Sequence, residues 1–155
     1  MVAMSDDTIS TFDQNHFLNS LKSGNAYGTT GPMIELALNG VQMGETLKAA
    51  QADLWVQINS AHWIDVDMVK IQINGETIAE KKLDSTTVKH ESNMSNCYEL
   101  NVPLSFTKDS FVTIEVIGNA GEDYKKIYPE ISPYAFSNAI YVDHNNDDQW
   151  QPPGL

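Results

Sequence analysis

The chain contains no arginine and one cysteine, Cys97. A single cysteine cannot close an internal disulfide or build a thiolate metal cluster, and it suits reducing and oxidising compartments alike. All nine basic residues are lysines, set against 21 acids, so the formal net charge is −12. That balance argues against nucleic acid as a partner, because phosphate binding needs a basic footprint and arginine is the preferred reader of base edges. Anionic membrane surfaces are disfavoured for the same reason, and cations are the small partners the charge favours. No apolar run reaches the roughly 18 residues of a membrane span, so no membrane insertion is expected. The opening "MVAMSDDTIS" lacks the basic and apolar regions of a secretory signal. Residues 1–10 therefore read as a disordered or expression-derived N-terminus. A periplasmic or secreted location is favoured only for a full-length protein that carries a signal of its own.

Catalytic signatures are also missing. There is no G-x-S-x-G, no H-E-x-x-H and no cysteine in a Cys/His arrangement. The histidines, His16, His62, His90 and His144, are scattered along the chain. His62 adjoins Asp65 and Asp67, which would share a face on a strand, and a polar strand edge or loop is the better reading than a transition-metal pocket. "GTTGP" (Gly28–Pro32) leads from a helix into a strand, whereas a phosphate cradle leads from strand to helix. Cys97, flanked by Asn96 and Tyr98, reads as structural rather than reactive.

What is present is an ordinary globular composition, 41% hydrophobic and 19% charged over 155 residues, enough for one domain with one core. Residues 11–24 predict a short helix, with a capping box from Thr11 to Gln14, an apolar face of Phe17, Leu18 and Leu21, and Gly24 as the stop. No other segment carries a 3.6-residue period, and Gly121–Pro133 reads as a surface connection with two prolines. The remainder alternates. Strands are expected over 33–40, 52–61, 66–83, 96–106, 110–119 and 134–143, with a hairpin turn at Asn74-Gly75. Leu54, Val56 and Ile58 should point inward with Val69, Ile71 and Ile73, and Trp55 should point the other way. Roughly six to eight such strands argue a mostly β fold, an antiparallel β-sandwich of Ig-like or jelly-roll type with one short N-terminal helix. The division expected is a connecting helix at 11–24 and a β-sandwich domain at 25–155.

Two features suggest ligands. Asp143, Asn145 and Asp147 have the i, i+2, i+4 spacing that opens a calcium loop, in which alternate oxygens converge on a hard cation. Asp148 stands where that motif wants glycine, and the twelfth position is Leu155 rather than a bidentate glutamate. The alternative is a solvated acidic turn capping the last strand. Trp63 and Trp150 could offer a stacking surface for carbohydrate, and core or interface packing is the competing role.

Two stretches together resemble a known family. "LKSGNAYGTTGPMIELALNGVQMGETL" (Leu21–Leu47) is similar to the segment that follows the catalytic barrel in a group of PHP-type (polymerase-and-histidinol-phosphatase) metal-dependent hydrolases. "YAFSNAIYVDHNNDDQWQPPGL" (Tyr134–Leu155) is similar to that group's closing pattern. Thr30 stands where the pattern has Asn, Ser137 where it has Thr, and Ala139 where it has Pro. The resemblance implies the C-terminal β-sandwich alone, with the helix that would join it to the barrel. The metal-binding residues of that family lie upstream, so no catalytic residue carries over and the chain itself is not expected to be an enzyme. It implies a non-catalytic accessory domain that packs on the catalytic barrel of a parent phosphoesterase, with Phe17, Leu18, Leu21, Thr29, Thr30, Gly31 and Pro32 at the interface and calcium as a structural ion. The readings that stand beside it are a carbohydrate-binding module and a free-standing calcium-stabilised structural or adhesin-like domain.

Overall fold

The computed structural model describes residues 1–2, 9–84, 87–91 and 95–151. Two sheets are present. The four-stranded sheet runs β2 (Met33–Leu38), β4 (Gln51–Ala61), β8 (Ser95–Ser105) and β7 (Val88–Glu91). The seven-stranded sheet is centred on β9 (Ser110–Ile117). On one side β9 pairs with β5 (Met68–Ile73), which pairs with β6 (Glu76–Lys82). On the other it pairs with β10 (Tyr134–Ser137) and then β11 (Ile140–Asp143), which lie end to end along it. β1 (Tyr27–Thr29) flanks β10, and β3 (Thr46–Lys48) flanks β11 in parallel; the other pairings are antiparallel.

The alternation in the sequence explains the layering, because successive side chains on a strand point to opposite faces. β4 buries Leu54, Val56 and Ile58, β9 buries Val112, Ile114 and Val116, and β5 buries Val69 and Ile71. These side chains from both sheets form one continuous cluster, so the fold is the expected antiparallel sandwich. Ile73, expected inside, is only partly buried against that cluster. Asn74 (φ 55°) and Gly75 (φ 82°) take the left-handed backbone of a tight hairpin turn between β5 and β6.

The N-terminal helix is α1 (Gln14–Lys22), and its cap differs from the expectation. Asp13, not Thr11, is the cap residue, and its Oδ1 accepts from Asn15 N at 2.8 Å and His16 N at 3.2 Å. Residues Ile9–Thr11 form a separate 3-10 turn, which takes Thr11 out of reach of a capping role. The Asp13 carboxylate supplies the acceptor that Thr11 was expected to supply, so the start moves by two residues. At the opposite end Gly24 (φ 83°) ends the helix as expected. The leading residues are also placed: Val2 bridges Ala26, and Met1 O accepts from Tyr27 N at 2.9 Å.

The connection 121–133 is not all loop. It contains α2 (Glu122–Ile127), with Glu122 and Asp123 in the first turn and Lys125 and Lys126 in the last, the charge order that suits the helix dipole. Lys126 donates to Asp123 at 2.6 Å and holds its carboxyl below the usual range. No helix among the described residues is long and apolar enough to cross a membrane.

Candidate functional site

Three regions bear on function, and the C-terminal loop is the first. The sheet brings Asp143, Asn145 and Asp147 into one turn after β11. Asp143 is buried, and its two oxygens accept the amides of Asp147 (3.3 Å) and Asp148 (2.9 Å). Asp147 accepts Gln149 N and the Asn145 side-chain amide, both at 2.9 Å. Asn146 (φ 59°) and Asp148 (φ 66°) sit in the left-handed region, where Asn and Asp are the residues other than glycine best tolerated. Asp148 forms an ion pair with Lys48 on β3. The three oxygen-bearing side chains thus serve as acceptors that fold the loop on itself. Among the described residues no three His, Cys, Asp or Glu side chains group so as to hold a metal ion. The set fits a turn cap. Leu155, the twelfth position, lies outside the described residues.

Asp109, which the sequence pattern did not single out, anchors this loop from below. Its carboxylate accepts His144 N at 2.9 Å and Gln151 N at 2.8 Å. Trp150 Nε1 donates to Ser110 O at 2.8 Å, and its ring meets Tyr141 edge-on at 4.7 Å. Trp150 therefore pins the loop to β9.

The second region is α1. None of its residues is buried. Phe17 is half-buried beside Phe12, with ring centroids 5.9 Å apart, while Leu18 and Leu21 are 38% and 49% exposed. Among the described residues, none buries Leu18 or Leu21 on this apolar face.

The third is the 29–32 segment at the other end of β1. Thr30 is knitted to the start of β10: its amide donates to Tyr134 O at 2.8 Å, and its Oγ1 accepts from Tyr134 N at 2.9 Å. Tyr124, on the helix absent from the sequence reading, is fully buried and donates its hydroxyl to Thr30 O at 2.9 Å. Its ring contacts Trp63 (6.1 Å) and Tyr128 (5.3 Å). Thr29, Thr30 and Gly31 are half-buried and Pro32 is buried. Pro32, expected at an interface, is thus inside the fold. The side chains that reach solvent here are instead Trp63, Ile127, Tyr128 and Ile131.

The remaining sequence candidates do not converge. His62, Asp65 and Asp67 fall in the turn after β4 rather than on a strand, with Ile64 and Val66 directed inward between them. Asp67 accepts a hydrogen bond from the Asn119 amide and serves the loop. His16 is exposed on α1, and the His90 side chain lies outside the described groups. Trp55 is half-buried on the outer face of β4, where it helps line a groove of about 400 Å³ with Tyr27 and Met33. Comparison with protein-family models and with curated proteins finds no match.

Proposed function

We propose that the chain is a non-catalytic accessory β-sandwich of a larger PHP-type metal-dependent hydrolase, docked on the catalytic barrel through α1 and shaping the approach to it. The observation that supports this reading is the uncovered apolar face of α1. A nine-residue helix is marginal in water on its own propensity, and helices of this kind are normally held by packing an apolar face. Here the helix is capped at Asp13 and closed at Ser23, yet Leu18 and Leu21 face solvent. A partner body would supply the missing packing, and the resemblance of Leu21–Leu47 and Tyr134–Leu155 to the post-barrel segment names the kind of body.

The exposed apolar side chains beside Thr30, namely Trp63, Ile127, Tyr128 and Ile131, form a second surface that suits the same role. In this reading the chemistry belongs to the barrel and the two surfaces serve docking.

An antibody raised against this domain, used on fractions of the source cells, tests the reading. A native polypeptide several tens of kilodaltons larger than 17.2 kDa is expected. A native species at the size of this chain alone sinks the accessory-domain reading and leaves a free-standing domain.

A further inference from the structure

The outer face of the seven-stranded sheet sets aromatic rings beside the polar side chains that alternation normally leaves on an exposed face. β9 sends Phe111, Thr113, Glu115 and Ile117 outward, all half-buried. The register sets Glu115 between Phe136 on β10 and Lys70 on β5, and Thr113 beside Gln72. Phe136 is 51% exposed, and its ring leans over Gly28 on β1, where a Cβ would collide with it. Its centroid is 6.0 Å from that of Tyr134, with the planes tilted by 37°. Beside these rings is an open hollow of about 380 Å³, lined also by Gln72, Thr113 and Glu115.

The arrangement joins two kinds of recognition. The ring faces carry the negative side of the aromatic quadrupole and attract weakly positive C–H groups. The polar side chains stand next to them: Thr113 Oγ1 donates to Gln72 Oε1 at 3.1 Å, which leaves the Gln72 NH2 group free of that bond, and both side chains line the hollow. Burial and the neighbouring Glu115 carboxylate raise the Tyr134 pKa above its usual value. A pyranose ring has the matching two-sided chemistry, an apolar C–H face and a rim of hydroxyls that donate and accept.

Other occupants fit less well. β9 is hydrogen-bonded on both flanks, so no free strand edge exists here for an extended peptide to join. A protein interface of ordinary size has an apolar centre, whereas the centre of this face is a polar row of Thr113, Gln72, Glu115 and Lys70. Lys70 is engaged by Glu80 at 3.7 Å, so Glu115 sets the local charge and, with the net charge of −12, disfavours phosphorylated, sulfated or uronic ligands.

We propose that this face, with Tyr134 and Phe136 as the stacking platform and Gln72, Thr113 and Glu115 as the hydroxyl-binding groups, binds one or two rings of a neutral saccharide. The site is independent of the docking of α1 and differs from the tryptophan surface that the sequence suggested.

The test is titration of the isotope-labelled chain, 1–155, followed by amide chemical shifts. The probes are neutral hexasaccharides of β-1,4-glucose, β-1,4-xylose, β-1,3-glucose and α-1,4-glucose, with oligogalacturonate as the anionic counterpart. At least one neutral probe is expected to give saturable shifts at 72, 113, 115, 134 and 136 with millimolar affinity. Phe136→Ala and Gln72→Ala should each weaken that binding by about tenfold or more, and Trp63→Ala should leave it unchanged. Both β-sheet substitutions are at side chains that reach the surface, and the shift spectrum itself reports whether the variant is folded. Absence of shifts with every neutral probe up to about 10 mM overturns the proposal. So do shifts confined to the Trp63 region, or tighter binding of oligogalacturonate than of any neutral probe.

Discussion

The Tyr124 hydroxyl donates to the Thr30 carbonyl oxygen at 2.9 Å, joining positions 94 residues apart in the chain. That bond ties α2 to the segment between β1 and β2, and the fully buried Tyr124 ring fills the space beneath Trp63 and Tyr128. Tyr124→Phe leaves the ring and removes the donor, so a loss of about 1 kcal/mol is expected. Tyr124→Ala removes the ring as well and should cost about 3–5 kcal/mol. Urea denaturation of the two variants separates the contributions. Equal losses would mean that the hydroxyl, not the ring, organises the connection.

Much of the sandwich is legible in the sequence because the strands that build the core alternate cleanly. Leu54-x-Val56-x-Ile58 and Val69-x-Ile71 point inward as their spacing requires, and Asn74-Gly75 makes the turn that its residues favour. Tyr124 was hidden for a physical reason. α2 has six residues and buries one side chain, so it leaves no periodic trace, and Ile127 and Tyr128, which would normally report an apolar face, are exposed. The short strands β1 and β3 are held by their neighbours' register rather than by any pattern of their own. Of the candidate sites, the C-terminal loop was visible as an oxygen-rich run, but its anchor Asp109 lies 35 residues from His144. Likewise, Phe136 and Gln72 face one hollow only because β10 and β5 flank β9 on opposite sides.

Asp143 offers a test of what holds the C-terminal loop. Its carboxylate is buried and accepts the backbone amides of Asp148 at 2.9 Å and of Asp147 at 3.3 Å, the latter shared with Asn145 Oδ1 at 3.3 Å. Asp143→Ala should therefore lower stability by about 1–3 kcal/mol, measured in EDTA so that no divalent cation contributes. Asp143→Asn should lie between, because one side-chain oxygen remains to accept while the new NH2 group faces an amide donor. A variant as stable as the parent in EDTA, but less stable in millimolar calcium, would show instead that the carboxylate acts through an ion.

The end of α1 reaches the body of the protein at Gly44. This residue has φ 85°, donates to Ala139 O at 2.8 Å, and has no room for a Cβ, which would collide with the Ser23 carbonyl. Gly40 has nearly the same backbone, φ 87°, with open space around it. Gly40→Ala thus isolates the cost of a left-handed non-glycine residue, about 1–2 kcal/mol. Gly44→Ala adds the collision and should lose roughly 1–3 kcal/mol more. Thermal and urea denaturation of the pair checks the difference. Matching losses would mean that α1 moves aside freely and that Gly44 fixes only its own turn.

Stability at alkaline pH should report on Tyr27. Its ring is half-buried in β1; burial raises its pKa first, the Glu35 carboxylate raises it further, and a hydrogen bond involving the Ile34 backbone opposes them. The neutral phenol is therefore favoured in the folded chain relative to the unfolded one, whose tyrosines titrate near about 10. The folded state holds its proton to a higher pH than the unfolded state does, so the slope of stability against pH is negative in that interval. The contribution is complete below about pH 10 and is lost as pH rises through the folded-state value. Tyr134, raised in the same direction, adds to the decline. Urea midpoints followed upward from pH 9 or so should fall more steeply for the parent chain than for Tyr27→Phe, and least for the double variant with Tyr134→Phe. Parallel curves for all three would show that neither phenol is kept neutral by the fold.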